Sequence, residues 1–198
     1  MYNGCAFSVH QNVYLPAEDT FLIAKHLDVE ERDYVLDMGT GCGILGVLAA
    51  KKARKVVAID INPHAMRCAQ RNAEKNDVKR KIAFILGSLF SPIRTKNFFD
   101  LILFNPPYLP SGPYEEASWL GKAWSGGSDG RKVINPFITD IRNFLAPNGR
   151  VLFVQSSLTG MKKTLHLISE LNLKASVIAK ASFPYETIFL LKLTAHGI

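Results

Sequence analysis

The stretch "VLDMGTGCGILG", residues 35–46, decides how the rest of the chain is read. It begins as a short apolar run, breaks into alternating glycines and resumes as "ILGVLAA". An apolar run of strand length, a glycine turn and an apolar helix form the opening half of a βαβ unit. The same rhythm recurs downstream. "YVLDM" (34–38), "KVVAID" (55–60), "IAFIL" (82–86), "DLILFN" (100–105) and "RVLFVQ" (150–155) read as strands buried on both faces. Helical patterns fall between or after them, over Ile44–Ala53, Pro63–Asn76, Lys132–Leu145 and Gly160–Leu171. Asn62 is a ready N-cap with Pro63 in the first turn, and "APNG" at 146–149 reads as a helix end turning into a strand. "KASVIAK" and "ETIFLLKL" read as a terminal hairpin turning near Phe183-Pro184-Tyr185.

This alternation predicts an α/β fold: a doubly wound, mostly parallel seven-stranded sheet with an antiparallel C-terminal strand. Residues 1–198 are expected to form one domain. Within it, residues 1–30 make a cover segment and helix, with Asp19 or Thr20 placed to cap that helix and the run Glu18-Asp19-Thr20 polar enough to line a pocket instead. In such a sheet a ligand binds beyond the carboxyl ends of the strands, near the point where strand order reverses.

The tips of the strands carry the chemistry. Gly39, Gly41 and Gly43 let the chain turn sharply and bring its backbone against a ligand. Asp37 stands at the tip of the first strand. Asp60 ends the second, where an acid accepts hydrogen bonds from ribose hydroxyls. A nucleoside-bearing cofactor is therefore indicated, and its identity is open at this point. Gly41, Gly43 and Gly46 spell the dinucleotide fingerprint G-x-G-x-x-G. The D-x-G-x-G-x-G form, with Asp37 leading, suits S-adenosylmethionine (SAM), whose ammonium and sulfonium favour an acid beside the loop. The third tip is Gly87-Ser88-Leu89-Phe90. Here the Ser88 hydroxyl or the Leu89 backbone is placed to meet an adenine, while Phe90 reads as core.

The fourth strand ends in Asn105-Pro106-Pro107-Tyr108. Prolines cannot donate to a sheet ladder, so the strand stops in a stiff corner with a carboxamide at its tip. That corner suits an acceptor with a planar amino group, such as an amide, adenine or cytosine. Its nitrogen lone pair is delocalised. Two acceptors aimed at its N–H bonds, the Asn105 side-chain oxygen and the Pro106 carbonyl, would position it and favour the pyramidal form that attacks a methyl group. Pro107 stiffens the corner and Tyr108 would pack on the planar group.

The 198 residues are 47% hydrophobic and 21% charged, with 24 Lys+Arg against 17 Asp+Glu and a formal charge of +7. The basic balance favours nucleic acid or a nucleic-acid-bound partner. The three cysteines, Cys5, Cys42 and Cys68, are scattered and odd in number, so neither a disulfide framework nor a metal site is expected. No apolar run approaches the length of a membrane span, and no secretory leader is evident, which makes the cytoplasm the expected location.

D-x-G-x-G-x-G followed by N-P-P-Y resembles the class I SAM-dependent methyltransferases that act on amino groups. The flanking motifs "VYLPAEDTFLI" (13–23) and "AWSGGSDGRKVINPF" (123–137) narrow the likeness to the short archaeal and eukaryotic branch of the HemK-type protein-glutamine methyltransferases. The resemblance covers nearly the whole chain. It implies SAM as cofactor, held by Thr20, Asp37, Gly39, Thr40, Gly41, Cys42, Gly43, Asp60, Ser88, Leu89 and Asn105. Ser88 departs from the acid usual at its position. The resemblance further implies catalysis at Asn105, Pro106, Pro107 and Tyr108, and a substrate glutamine in the Gly-Gly-Gln motif of a class-1 translation release factor. It also implies a small zinc-binding activator as partner.

The alternatives are an amino-methyltransferase of DNA or RNA working on a flipped base, a SAM-fold subunit that binds without catalysis, and a nicotinamide-dependent oxidoreductase. The catalytic fold is expected to begin almost at once, without a separate substrate domain, and the long loop over residues 106–130 is expected to shape the substrate entrance.

Overall fold

A computed structural model describes residues 1–195. The first helix is α1 (Glu18–Lys25). Then come β1 (Tyr34–Met38), α2 (Ile44–Ala50), β2 (Lys55–Asp60), α3 (Pro63–Lys75), β3 (Ile82–Leu86) and β4 (Phe99–Phe104). The second half holds α4 (Trp119–Lys122), α5 (Ile134–Ile141), β5 (Leu145–Ser156), α6 (Met161–Glu170), β6 (Leu173–Phe183) and β7 (Glu186–Ala195). The seven strands form one sheet in the order β3-β2-β1-β4-β5-β7-β6. All pairs from β3 to β5 are parallel, and β7 runs antiparallel to both its neighbours. The expected doubly wound sheet with an antiparallel C-terminal strand is thus observed.

Val35, Leu36, Leu101, Ile102 and Leu103 are fully buried, as continuous apolar runs must be when helices cover both faces of a parallel sheet. α5 contributes Ile134, Phe137, Ile138 and Ile141 to one such face, all at 0% exposure. Phe90 is core as read: its ring stacks on Phe144 with centroids 4.4 Å apart. α3 opens as expected, with the Asn62 side chain accepting from the His64 N–H at 2.9 Å and Pro63 in the first turn. The last two strands join through Phe183-Pro184-Tyr185-Glu186.

Three local expectations are corrected. The helices are shorter than their patterns; α2 stops at Ala50 and α5 spans only Ile134–Ile141. "APNG" does not end a helix. Leu145, at 0% exposure, already pairs with Phe99, and β5 bulges before Arg150 pairs with Leu101. The turn residues are absorbed into that bulge, with Asn148 at φ 63°, because burial of Leu145 outweighs local turn chemistry. Third, α1 is capped at Ala17 with no side-chain bond. Asp19 and Thr20 lie within the helix, buried at 4% and 5% exposure. No helix among the described residues is long and apolar enough to cross a membrane.

Candidate active site

The parallel register aligns the strand tips. Met38 pairs with both Ile59 and Phe104, and Asp60 pairs with Leu86. Beyond these tips, where β1 and β4 adjoin and strand order reverses, lies a cavity of about 950 Å³. That is the upper end of the range for ligand pockets, room for a nucleoside cofactor and part of an acceptor.

The glycine loop forms one wall. Gly39 and Gly41 hold φ of 64° and 56°, left-handed values that glycine reaches without penalty. Gly39, Thr40, Gly41 and Cys42 line the cavity, whereas Asp37 and Gly43 do not. Asp37 instead braces the loop from beneath, at 1% exposure. It accepts from the Thr40 hydroxyl at 2.5 Å and the Gly46 N–H at 2.9 Å. Burial, and secondarily the charge of Asp60, push its pKa up to about 7 against those hydrogen bonds. Gly43 serves packing: a Cβ there would stand 2.9 Å from Ala69 on α3. Burial pushes the Cys42 thiol up to about 12, so it is a neutral wall group.

Asp60 lines the cavity from the tip of β2. Its two oxygens accept from the Gly41 N–H at 2.9 Å and the Asn62 N–H at 2.8 Å. Two of a carboxylate's roughly four lone-pair sites remain for a diol. Burial raises its pKa above the ordinary value despite those backbone donors. Ser88 and Leu89 line the neighbouring wall, with Leu89 held at φ 46°. Among the described residues no group of three His, Cys, Asp or Glu is placed to hold a metal.

Asn105, Pro106, Pro107 and Tyr108 line the opposite wall together with Thr20 from α1. Asn105 Nδ2 donates to Thr20 Oγ1 at 3.0 Å. Its Oδ1 is buried and meets no partner among the described residues. An unpaired buried carbonyl costs about 1–3 kcal/mol, so this oxygen marks where a donor on a ligand belongs. Tyr108 is not a free stacking face. It is 8% exposed, and its hydroxyl donates to Asp19 Oδ2 at 3.2 Å. Tyr14 donates to the same oxygen at 3.0 Å. Asp19 lines the cavity, as the polar run Glu18-Asp19-Thr20 allows, but its contact with Tyr108 spans 89 positions and is hidden from any local pattern.

The family model described as "Methyltransferase small domain" matches residues 15–117. A putative protein N5-glutamine methyltransferase of Methanocaldococcus jannaschii is 41% identical, over 95% of this chain and 94% of that protein. The chain belongs to the HemK-type methyltransferases. Human "Methyltransferase HEMK2" is 29% identical over 92% of the chain and 90% of its own length. In fold the chain resembles a subunit of the E. cuniculi Mtq2–Trm112 complex, described as methylating the termination factor eRF1. The TM-score is 0.74 at 23% identity, covering 94% of this chain and all of that one.

In this HemK-type chain the segment after Tyr108 is pinned rather than loose. Leu109 donates to Trp124 O at 2.9 Å, Gly126 to Leu109 O at 2.8 Å and Ser111 to Gly127 O at 2.9 Å. Gly130 packs so closely on the Tyr108 carbonyl that a Cβ would sit 2.3 Å from it. Arg131, 2% exposed, donates through its guanidinium to Thr159 O at 2.5 Å and Thr164 Oγ1 at 2.8 Å. Gly130 is therefore a packing requirement of the Asn105–Tyr108 corner, and Gly126, where a Cβ would stand 2.7 Å from Gly130, packs behind it. Trp119, Lys122 and Trp124 from this segment line the cavity mouth.

Proposed function

We propose that this chain transfers a methyl group from SAM to the side-chain amide of the glutamine in the Gly-Gly-Gln motif of a class-1 translation release factor. The observation that carries the reading is Asn105 Oδ1, buried at the cavity wall without a partner among the described residues. It is an acceptor for an N–H of a planar amino group.

SAM fits the residues that would hold it. Asp60 offers lone pairs to the ribose hydroxyls, and the Gly39–Cys42 turn gives the close backbone approach the cofactor needs. Ser88 and Leu89 would meet the adenine, Thr20 the methionine end. Asp37 acts from behind the loop, through Thr40 and Gly46. When bound, SAM supplies an electrophilic methyl on its sulfonium. Asn105 Oδ1 and the Pro106 carbonyl accept the two amide N–H bonds and hold the nitrogen toward that methyl. Pro106 and Pro107 keep the corner rigid, so little reorganisation is needed at the moment of reaction. No strong base is required, because the nitrogen becomes acidic once alkylated.

A glutamine side chain is small and uncharged, so binding energy must come from contacts remote from the reacting nitrogen. We place those contacts on the segment 106–130 and on a small zinc-binding activator. Exposed Leu86 at the tip of edge strand β3 and exposed Ile61 are apolar surface beside the cavity suited to such a partner. A cytoplasmic location follows from a translation substrate.

The test is methyl transfer from labelled SAM, with and without the activator. Acceptors are intact release factor, a short Gly-Gly-Gln peptide, a factor with its glutamine replaced, DNA and RNA. Methylation of the intact factor, weak reaction of the peptide and none of the replaced factor are expected. Equal methylation of the replaced factor, or a better reaction with nucleic acid, overturns the reading in favour of a base methyltransferase.

A further inference from the structure

A carboxamide has two ends of nearly the same shape, and only one accepts hydrogen bonds. For Asn105 to receive an amide N–H, its oxygen and not its NH2 must face the cavity. What holds it that way lies on α1. Asn105 Nδ2 stands 3.0 Å from Thr20 Oγ1. A hydroxyl has a single proton to give, and the Thr20 hydroxyl lies 3.2 Å from Asp19 Oδ1. An ionised carboxylate only accepts. The Thr20 proton is therefore committed to Asp19, the Thr20 oxygen is left to accept, and the NH2 of Asn105 is drawn to it. Oδ1 then has only the cavity to face.

Asp19 is itself held by three further donors: the Thr20 N–H at 2.6 Å, Tyr14 Oη at 3.0 Å and Tyr108 Oη at 3.2 Å. Burial and the Asp19 charge raise both phenols above their ordinary pKa, so they stay protonated and donate. The last residue of N-P-P-Y thus returns to the carboxylate that governs the first.

We propose that Asp19 is a positioning residue: through Thr20 it sets which end of the Asn105 carboxamide meets the acceptor. The proposal rests on the methyl-transfer reading above and adds a residue that does not touch the reacting nitrogen.

The test uses Asp19→Ala, Thr20→Val and Thr20→Ser, each in the wild-type and the Asn105→Ala backgrounds. In the wild-type background, Asp19→Ala and Thr20→Val should lower kcat on release factor by about tenfold, the lower end of what losing an orienting partner of an active-site group costs. Thr20→Ser, which keeps the hydroxyl, should retain kcat. In the Asn105→Ala background Asp19→Ala should cost clearly less than in wild type, since the part of its effect that runs through Asn105 has nothing left to act on. A second readout needs no acceptor. The Asn105 side-chain NH2 signals, identified by their absence from the Asn105→Ala spectrum, should exchange with solvent faster in Asp19→Ala and Thr20→Val than in wild type or Thr20→Ser. Should Asp19→Ala fail to fold, the Thr20 pair decides by both measures. Unchanged amide signals in Asp19→Ala, or an equal kcat loss with and without Asn105, overturn the proposal. If the wild type methylates no release factor, the functional reading falls while the amide signals still decide this one.

Discussion

The two ends of the sheet treat their acids in opposite ways. At the amino end Arg150, opening the regular part of β5, donates to Asp33 at 2.7 Å and Asp28 at 3.0 Å, and Lys192 of β7 meets Asp28 at 2.5 Å. Burial would push Asp28 up, yet the hydrogen bonds from Lys192 and Arg150 hold its pKa below the ordinary value. At the carboxyl end Asp19, Asp37 and Asp60 gather around one cavity, and their hydrogen-bond partners among the described residues are hydroxyls and backbone N–H groups. One end neutralises its own charge and is closed. The other supports negative charge with neutral dipoles only, an arrangement that costs burial energy and suits a ligand that brings its own positive charge.

The amino end is the easier to break. Arg150→Met should destabilise the fold by about 3 kcal/mol, the lower end for removing one partner of a buried pair, because among the described residues Asp33 then keeps only the Glu30 N–H at 2.7 Å. Chemical denaturation measures it, and a change within error would show that the pair is decorative. At the carboxyl end the fold should survive and function fail. Asn105→Ala should cut turnover by about 100-fold, as loss of one oriented active-site donor or acceptor does. Near-normal turnover by mass spectrometry of the substrate would remove Asn105 from the chemistry.

The third prediction turns on Asp37. Its folded pKa, about 7, lies above the unfolded value of about 3.9. The folded state therefore holds this proton more tightly. The contribution is fully present below the unfolded value and is lost as pH rises through about 7. Asp37→Asn, which keeps an oxygen for Thr40 and Gly46, should flatten this dependence and gain about 2 kcal/mol at pH 8 relative to pH 5. Parallel pH–stability curves for the two proteins would count against it. The smallest effect is expected at Asp60. Asp60→Asn should weaken SAM binding by about tenfold, the loss of one charge-assisted hydrogen bond. Because burial raises the Asp60 pKa, wild-type affinity should also fall on acidification at a higher pH than an ordinary carboxylate would give, and the Asn variant should lose that step. Calorimetry across pH checks both.

The central strands were legible because burial on both faces leaves uninterrupted apolar runs, and their tips then located the glycine loop, Asp60 and Asn105. What escaped was set by contacts distant in sequence. "APNG" carries real turn chemistry, overridden because Leu145 pairs with Phe99. Asp37 and Gly43 belong to the motif but work behind the wall, supporting Gly46 and admitting Ala69. Asp19 reads equally as a helix cap or as part of a polar run facing a pocket, and neither reading names what it touches. Its partners Tyr14 and Tyr108 come from either side of the glycine loop in sequence. The flanking motif "VYLPAEDTFLI" contains Tyr14, Asp19 and Thr20, so the signal was present as a pattern without a visible partner.

The seat of β7 between β5 and β6 has a consequence for how the chain is made. β6 is bonded only to β7, and β5 has β7 as its outer neighbour. During synthesis, at about 5–20 residues per second, β6 therefore emerges with no strand to join, and β5 waits with an open edge. That edge runs beside Val151, Phe153 and Val154, all fully buried once folding is complete. A long apolar edge is a template for pairing with other chains. Residues 186–195 thus cover the open edge of β5 and give β6 its partner. Ribosome stalling just before them should leave a species that chaperones hold, and release of one further strand should free it.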